Sequence, residues 1–319
     1  MDDHDVAFYS GEGSFVLLKM RRLGLLILAG CCLAANQASA QELTPRTYWP
    51  APKGTRVFVS GYSYASGDVL FDPSVPISGA DSRTNVGLLA YVQTLGLWGR
   101  TTNLLVELPY SWGDTKGLLE DMPASRNFSD FGDLAITLNV NLRGAPTLTM
   151  EDFLALRADP QLILGASLKV VAPTGHYDPD RLINVGTNRW AARAQLGSII
   201  PVKPTWLLEL TAGAWFFEDN KDFVAGTKEQ EPVISFQANL IKRIRPGLWA
   251  SLDLTYFMGG RQTIGGKQLE DRQRNMKIGG TVVVPFLRRH AIKIGYSSGI
   301  FTRYGNDFDQ FLVTYTVAF

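Results

Sequence analysis

Cysteine is almost missing from this chain: Cys31 and Cys32 are the only 2 in 319 residues. Both fall in an N-terminal stretch that reads as a removable leader, so the rest offers no thiol for a disulfide, a zinc site or a nucleophile. Histidine is scarce as well, with His4, His176 and His290 making up all 3. After Ala40 no apolar run reaches the roughly 18 residues that a membrane helix needs. Helical periodicity hardly appears, although a soluble chain of this length would ordinarily show it. An excess of one charge is also lacking, since 31 basic residues face 30 acidic ones. Removing Asp2, Asp3, Asp5, Glu12, Lys19, Arg21 and Arg22 with the leader leaves only a small positive balance, which gives nucleic acid nothing to bind. If this chain crosses a membrane, it does so as strands.

The leader has three parts. Met20, Arg21 and Arg22 are a basic start, Leu23 to Ala35 an apolar core, and Ala38-Ser39-Ala40 a small-residue cleavage site. Met1 to Lys19 carries acids unsuited to such a start, so translation is expected to begin at Met20. Residues 1–40 are therefore read as an upstream extension plus signal peptide, cleaved after Ala40. A competing reading takes Leu28-Ala29-Gly30-Cys31 as a lipoprotein box acylated at Cys31, but counted from Met20 the apolar run before it is very short. Residues 41–54, with Pro45, Trp49, Pro50 and Pro52, form an N-terminal segment that stays in the periplasm or inserts into a lumen. Residues 55–319 are the barrel.

What the chain does have is alternation with period two, in twelve segments: 55–66, 84–96, 101–112, 131–143, 161–172, 188–200, 205–217, 232–244, 247–258, 274–286, 290–301 and 308–319. Each is long enough for a tilted bilayer-crossing strand of about 9 to 11 residues. Leu134, Ile136, Leu138, Val140 and Leu142 form one face of the fourth segment, and Asp133, Thr137, Asn139, Asn141 and Arg143 the other. Ile234, Phe236, Ala238 and Leu240 likewise oppose Ser235, Gln237 and Asn239, and Leu248, Ala250, Leu252 and Leu254 oppose Ser251, Asp253 and Thr255. In lipid every backbone donor and acceptor must be paired internally, which leaves a closed cylinder as the only use for such strands. The predicted fold is all-β, an antiparallel up-and-down transmembrane barrel of about twelve strands.

Short connections (Leu97 to Arg100, Val202 to Thr205, Arg245 to Gly247, Leu287 to His290) alternate with longer polar ones at 67–83, 113–130, 173–187, 218–231, 259–273 and 302–307. Bacterial barrels put short turns in the periplasm, so both termini are expected there. Gly144 to Asp159 departs from this scheme. There Thr149 and Asp152, followed by Phe153, Leu154 and Leu156, predict one capped helix, a cover for the barrel rim or a docking element. Aromatic residues at strand ends predict two girdles at the headgroups: Trp98, Trp206, Trp249, Phe286 and Phe319 at one, Trp112, Trp190, Trp215, Phe217, Tyr256 and Phe257 at the other. The last segment places Phe311, Val313, Tyr315, Val317 and Phe319 at every second position. That pattern resembles the C-terminal recognition signal read by the barrel-assembly machinery.

Several stretches carry a wider resemblance: PTGHYDPDRLINVGTNRW (173–190), WFFEDNKDF (215–223), EQEPVISFQANL (229–240), RPGLWASLDLTYFMGGR (245–261) and DFDQF from Asp307. Together they resemble the bacterial family described by the MetA pathway of phenol degradation. The resemblance runs through essentially all of residues 41–319. It implies an outer-membrane location and a link to aromatic catabolism, and it brings no catalytic residues with it.

Function should then reside on the inner face. Strand parity puts Glu107, Asp133, Arg143, Lys169, Arg193, Glu209, Asp253, Lys277 and Lys293 there, as the cost of charge in a membrane requires. These residues either form paired ladders that rigidify a narrow lumen or set a transverse field that screens solutes. Glu218, Asp219, Asn220 and Asp222 lack the spacing of a calcium loop, and His176 with Asp178 and Asp180 reads as a solvated loop. A hydrolase barrel would need a base beside a nucleophile, and neither His176 nor His290 has one at a fixed strand spacing. The expected function is a channel for passive uptake of small solutes, aromatic ones by the resemblance, without cofactor. The alternative is an adhesive or structural barrel with a plugged lumen. Lipid and lipopolysaccharide outside, the assembly machinery and the solute are the expected partners.

Overall fold

A computed structural model describes residues 45–70, 77–119, 122–180, 184–224 and 226–319. The expected leader with its cleavage site, and residues 41–44 of the N-terminal segment, lie outside them. The main sheet contains β1 (Arg56–Leu70), β2 (Ile77–Leu97), β3 (Arg100–Leu119), β4 (Met122–Phe131), β5 (Leu134–Arg143), β6 (Ile163–Ala172), β7 (Ala191–Lys203) and β8 (Trp206–Phe217). It continues, beyond the short β9 (Lys228–Gln230), with β10 (Val233–Arg245) and β11 (Leu248–Gly259). After β12 (Gln262–Ile264) and β13 (Lys267–Gln268) it is completed by β14 (Gln273–Leu287), β15 (His290–Thr302) and β16 (Gly305–Ala318). Strands β9, β12 and β13 make a small separate sheet among the loops.

Every pairing is antiparallel, and β1 pairs with β2 on one side and β16 on the other, so the cylinder closes without an edge. The first and last strands seal it: Arg56 and Phe319 exchange backbone hydrogen bonds of 3.2 and 2.9 Å. Strands β4 and β5 are two halves of one stave, interrupted at Gly132-Asp133; β3 pairs with β4 from Tyr110 upward and with β5 up to Glu107. Counted so, the barrel has twelve strands, and Arg56, where β1 begins, and Phe319 lie at the end that carries the short turns after β2, β7, β10 and β14, called the terminal end.

The accessible surface is inverted relative to a water-soluble protein. Ile136, Leu196, Leu252, Phe236 and Ile294 are exposed, whereas Glu209, Asn239, Asp253 and Asn275 are fully buried. The two faces of β5 read from sequence separate in this way: Ile136 and Leu142 are exposed, and Thr137, Asn139 and Asn141 are buried. An oily exterior around a polar interior suits hydrocarbon outside and a hydrated lumen inside.

Two expectations need correction. The stretches 67–83 and 113–130 are largely strand, not loop. Backbone pairing continues past the apolar belt through polar pairs such as Arg83↔Asp114 and Asp81↔Lys116, so β2 and β3 reach 21 and 20 residues. At roughly 3.3 Å per residue they extend far beyond a bilayer. Nor do all the terminal aromatics sit at headgroups: Trp98, Trp190, Phe286 and Phe319 are exposed, but Trp215, Trp249 and Phe257 are buried inside. Their odd numbers put them in the inward rows with Glu209 on β8 and Asp253 on β11.

Between β5 and β6 the predicted helix forms as α1 (Met150–Ala158), with Thr149 and Asp152 exchanging the two hydrogen bonds of a capping box. None of its residues is fully buried, but Leu156 packs against an apolar cluster at the terminal end of the lumen.

Candidate functional site

The lumen is narrowed from both ends by segments that fold into it. At the terminal end, the chain before β1 enters the barrel. Tyr48 is completely buried against Ile163, Ile199, Leu207, Ile241 and Trp249. Its ring rests on the backbone of β6 and β7, where a Cβ on Gly165 or Gly197 would come within 2.2 and 2.1 Å of it. Only glycine leaves room there. The Tyr48 hydroxyl donates to Ser167 at 3.4 Å, and the backbone N–H of Arg46 donates to the Glu209 carboxylate. Arg46 adopts a left-handed φ of 67°. Its guanidinium lies 4.5 Å from the Trp49 ring and 5.2 Å from the Trp249 ring. Burial lowers its pKa to about 9, opposed by the Glu209 charge, so it remains a cation at neutral pH.

At the opposite end the connection from β6 to β7 folds across the opening and is held by Asp133. Breaking the stave at Gly132-Asp133 turns this carboxylate toward the connection. There it accepts the Gly175 N–H at 2.8 Å, the Thr187 N–H at 2.9 Å and the Thr187 hydroxyl at 2.6 Å. A second tie is Asn220, which donates to the Tyr177 hydroxyl and the Thr187 carbonyl while accepting from Asn188. Asn220, from the acidic stretch without calcium-loop spacing, therefore ties its loop to the lid. Among the described residues no three histidines, cysteines or acids are grouped to hold a metal.

Under this lid lies a chamber of about 240 Å³. Val86, Leu88, Pro109, Ala135, Val171, Trp215, Phe217 and Leu312 give it mainly apolar walls, and Glu107, Asp133, Lys169 and Arg189 its charges. Lys169 and Glu107 form an ion pair of 2.8 Å in the wall. Arg193 sits beside Lys169 in register, 5.3 Å from the Trp215 ring. Trp215 and Phe217 stack with ring centres 6.3 Å apart, and Arg189 lies 4.6 Å from Phe217 on the lid side. A ladder of cation, two aromatic rings and cation thus climbs the inner wall of β8.

Glu209 is fully buried under the N-terminal segment. Asp253, also fully buried, accepts the Thr281 hydroxyl at 3.0 Å and feels the charge of Lys293, which is half-buried on β15. Lys277 is buried, with Asp307 and Asp309 as opposing charges. Arg143 is exposed instead: a bulge between Asn141 and Arg143 breaks the alternation at the last residue of β5. Sequence reasoning missed Arg46, Tyr48, Arg189, Trp215 and Phe217. Parity with Glu209 along β8 would have found the last two; nothing local marks the others.

His290 hydrogen-bonds the Tyr315 hydroxyl at 2.6 Å on the outer face, and the His176 backbone ties the lid to Phe131. The assembly-signal residues Phe311, Tyr315 and Phe319 are exposed outward, with Val313 and Val317 in the same row.

A closed cylinder with this inverted surface is a β-barrel of the bacterial outer membrane. Residues 55–306 match the model of the family described as "Putative MetA-pathway of phenol degradation", and the chain belongs to that family. Among solved structures it is similar to the COG4313 outer membrane channel from Pseudomonas putida F1, at 22% identity and a TM-score of 0.73, over 87% of this chain and 100% of that one. It is also similar to the transport unit of the autotransporter AIDA-I from Escherichia coli, at 8% identity and a TM-score of 0.52, over 91% of this chain and 98% of that one. No curated protein matches the sequence.

Proposed function

We propose that this barrel is a passive channel for small, flat, largely apolar solutes, aromatic compounds among them, with both termini facing the periplasm. The chamber carries the reading: a space of about 240 Å³ with a mainly apolar wall, whose acids are already engaged by the protein, suits a single-ring solute better than a hydrated sugar. The family's description and the Pseudomonas putida channel point the same way, and the short turns at the terminal end suit the periplasmic side. A second reading, a barrel that stays plugged, draws on the buried Tyr48 and Arg46. Liposome swelling distinguishes the two. With the leaderless barrel reconstituted, phenylalanine, a membrane-impermeant aromatic of zero net charge, should enter faster than the smaller arabinose. Faster entry of arabinose discards the aromatic assignment. No entry of either solute, from the intact barrel or from one lacking residues 41–53, discards the channel.

A further inference from the structure

We propose that the chamber contains an anion subsite built on Arg189, so that its preferred occupant is a single-ring aromatic carrying one carboxylate. The inference rests on the channel reading and names the solute class of that same chamber.

Arg189 is 6% exposed and its pose is fixed from two sides. Phe217 lies against its guanidinium plane, and one terminal nitrogen, Nη2, donates to the Gln230 side chain. The other, Nη1, is buried and meets no hydrogen-bond acceptor among the described residues. Trp215, 3% exposed, lines the same chamber, and its indole N–H likewise meets none. Two buried donors without acceptors, on two residues that line one chamber, are costly unless a ligand supplies the acceptor.

Charge points the same way. Each acid in the chamber wall is engaged by the protein: both Asp133 oxygens accept lid donors, and Glu107 pairs with Lys169. No acid of the chamber wall is therefore left to pair with Nη1 of Arg189. Burial lowers the Arg189 pKa to about 10, with Asp219 and Asp133 opposing the shift, so it is charged at neutral pH. A carboxylate offers the paired lone pairs that the two N–H groups of Nη1 fit. The stacked Trp215 and Phe217 rings offer an aromatic ring a parallel face beside it.

Equilibrium binding to the full barrel in detergent tests this without requiring conduction. Benzoate and benzyl alcohol share a ring and differ in charge; calorimetry should find benzoate bound about tenfold more tightly, the scale of a hydrogen bond to a charged group. Arg189→Gln should remove that tenfold preference for benzoate over benzyl alcohol, and Arg189→Lys should keep part of it. Equal binding of the two probes by the native barrel overturns the subsite whatever the variants do, and so does native benzoate affinity in a folded Arg189→Gln barrel. Phenylalanine entry without a benzoate preference removes this inference alone. A benzoate preference in a barrel that never conducts removes the channel reading alone.

Discussion

At the residue scale, single contacts decide what the lumen can hold. Gly165 and Gly197 are flat because Tyr48 lies on them, and any side chain there would displace its ring. Replacing Tyr48 with alanine should cost the docking of residues 45–54 about 3 kcal/mol, the scale for removing a buried aromatic ring. The expected readouts are faster proteolysis of that segment and larger channel currents. Gly165→Ala should mimic the effect in the native barrel and add little in the Tyr48→Ala background, because the clash has lost its partner. Additive effects in the double variant would show that Gly165 acts through something other than Tyr48.

At the scale of elements, the lid is a loop made rigid by one carboxylate. Asp133→Ala leaves three lid donors without their acceptor, at about 1–3 kcal/mol for each one that stays buried. Amide hydrogen exchange across the connection from β6 to β7 should accelerate, while the central strands keep their protection. Unchanged exchange at Gly175 and Thr187 would mean that Asn220 holds the lid without Asp133.

The strands themselves were legible because lipid on one side and polar groups on the other force a two-residue period, and α1 because Thr149 and Asp152 sit at capping-box spacing. The lengths of β2, β3 and β4 were not legible, because outside the bilayer a strand needs no apolar face and Asp- and Gly-rich hairpins look like loops. The inward aromatics were misread for a related reason: a tryptophan at a strand end has the composition of a headgroup anchor, and only its parity with Glu209 or Asp253 shows which way it points. The N-terminal insert was legible as a candidate because Pro45 to Pro52 belongs to no strand. Its landing place on Gly165 and Gly197, which pair across β6 and β7, exists only once the barrel has enclosed a lumen.

At the scale of the whole molecule, the central claim is that the polar faces of twelve strands enclose an aqueous path through the membrane. The expected loss of Cys31 and Cys32 with the leader makes the claim open to direct measurement. Single cysteines placed by Thr281→Cys, whose residue is buried on the inner face, and Leu252→Cys, whose residue is exposed on the outer face, can be probed during planar-bilayer recording. A charged, membrane-impermeant methanethiosulfonate should step the current down through the Thr281→Cys barrel and leave the Leu252→Cys barrel untouched. Block through Leu252→Cys with none through Thr281→Cys, or a bilayer that stays silent with every form of the barrel, would contradict the account.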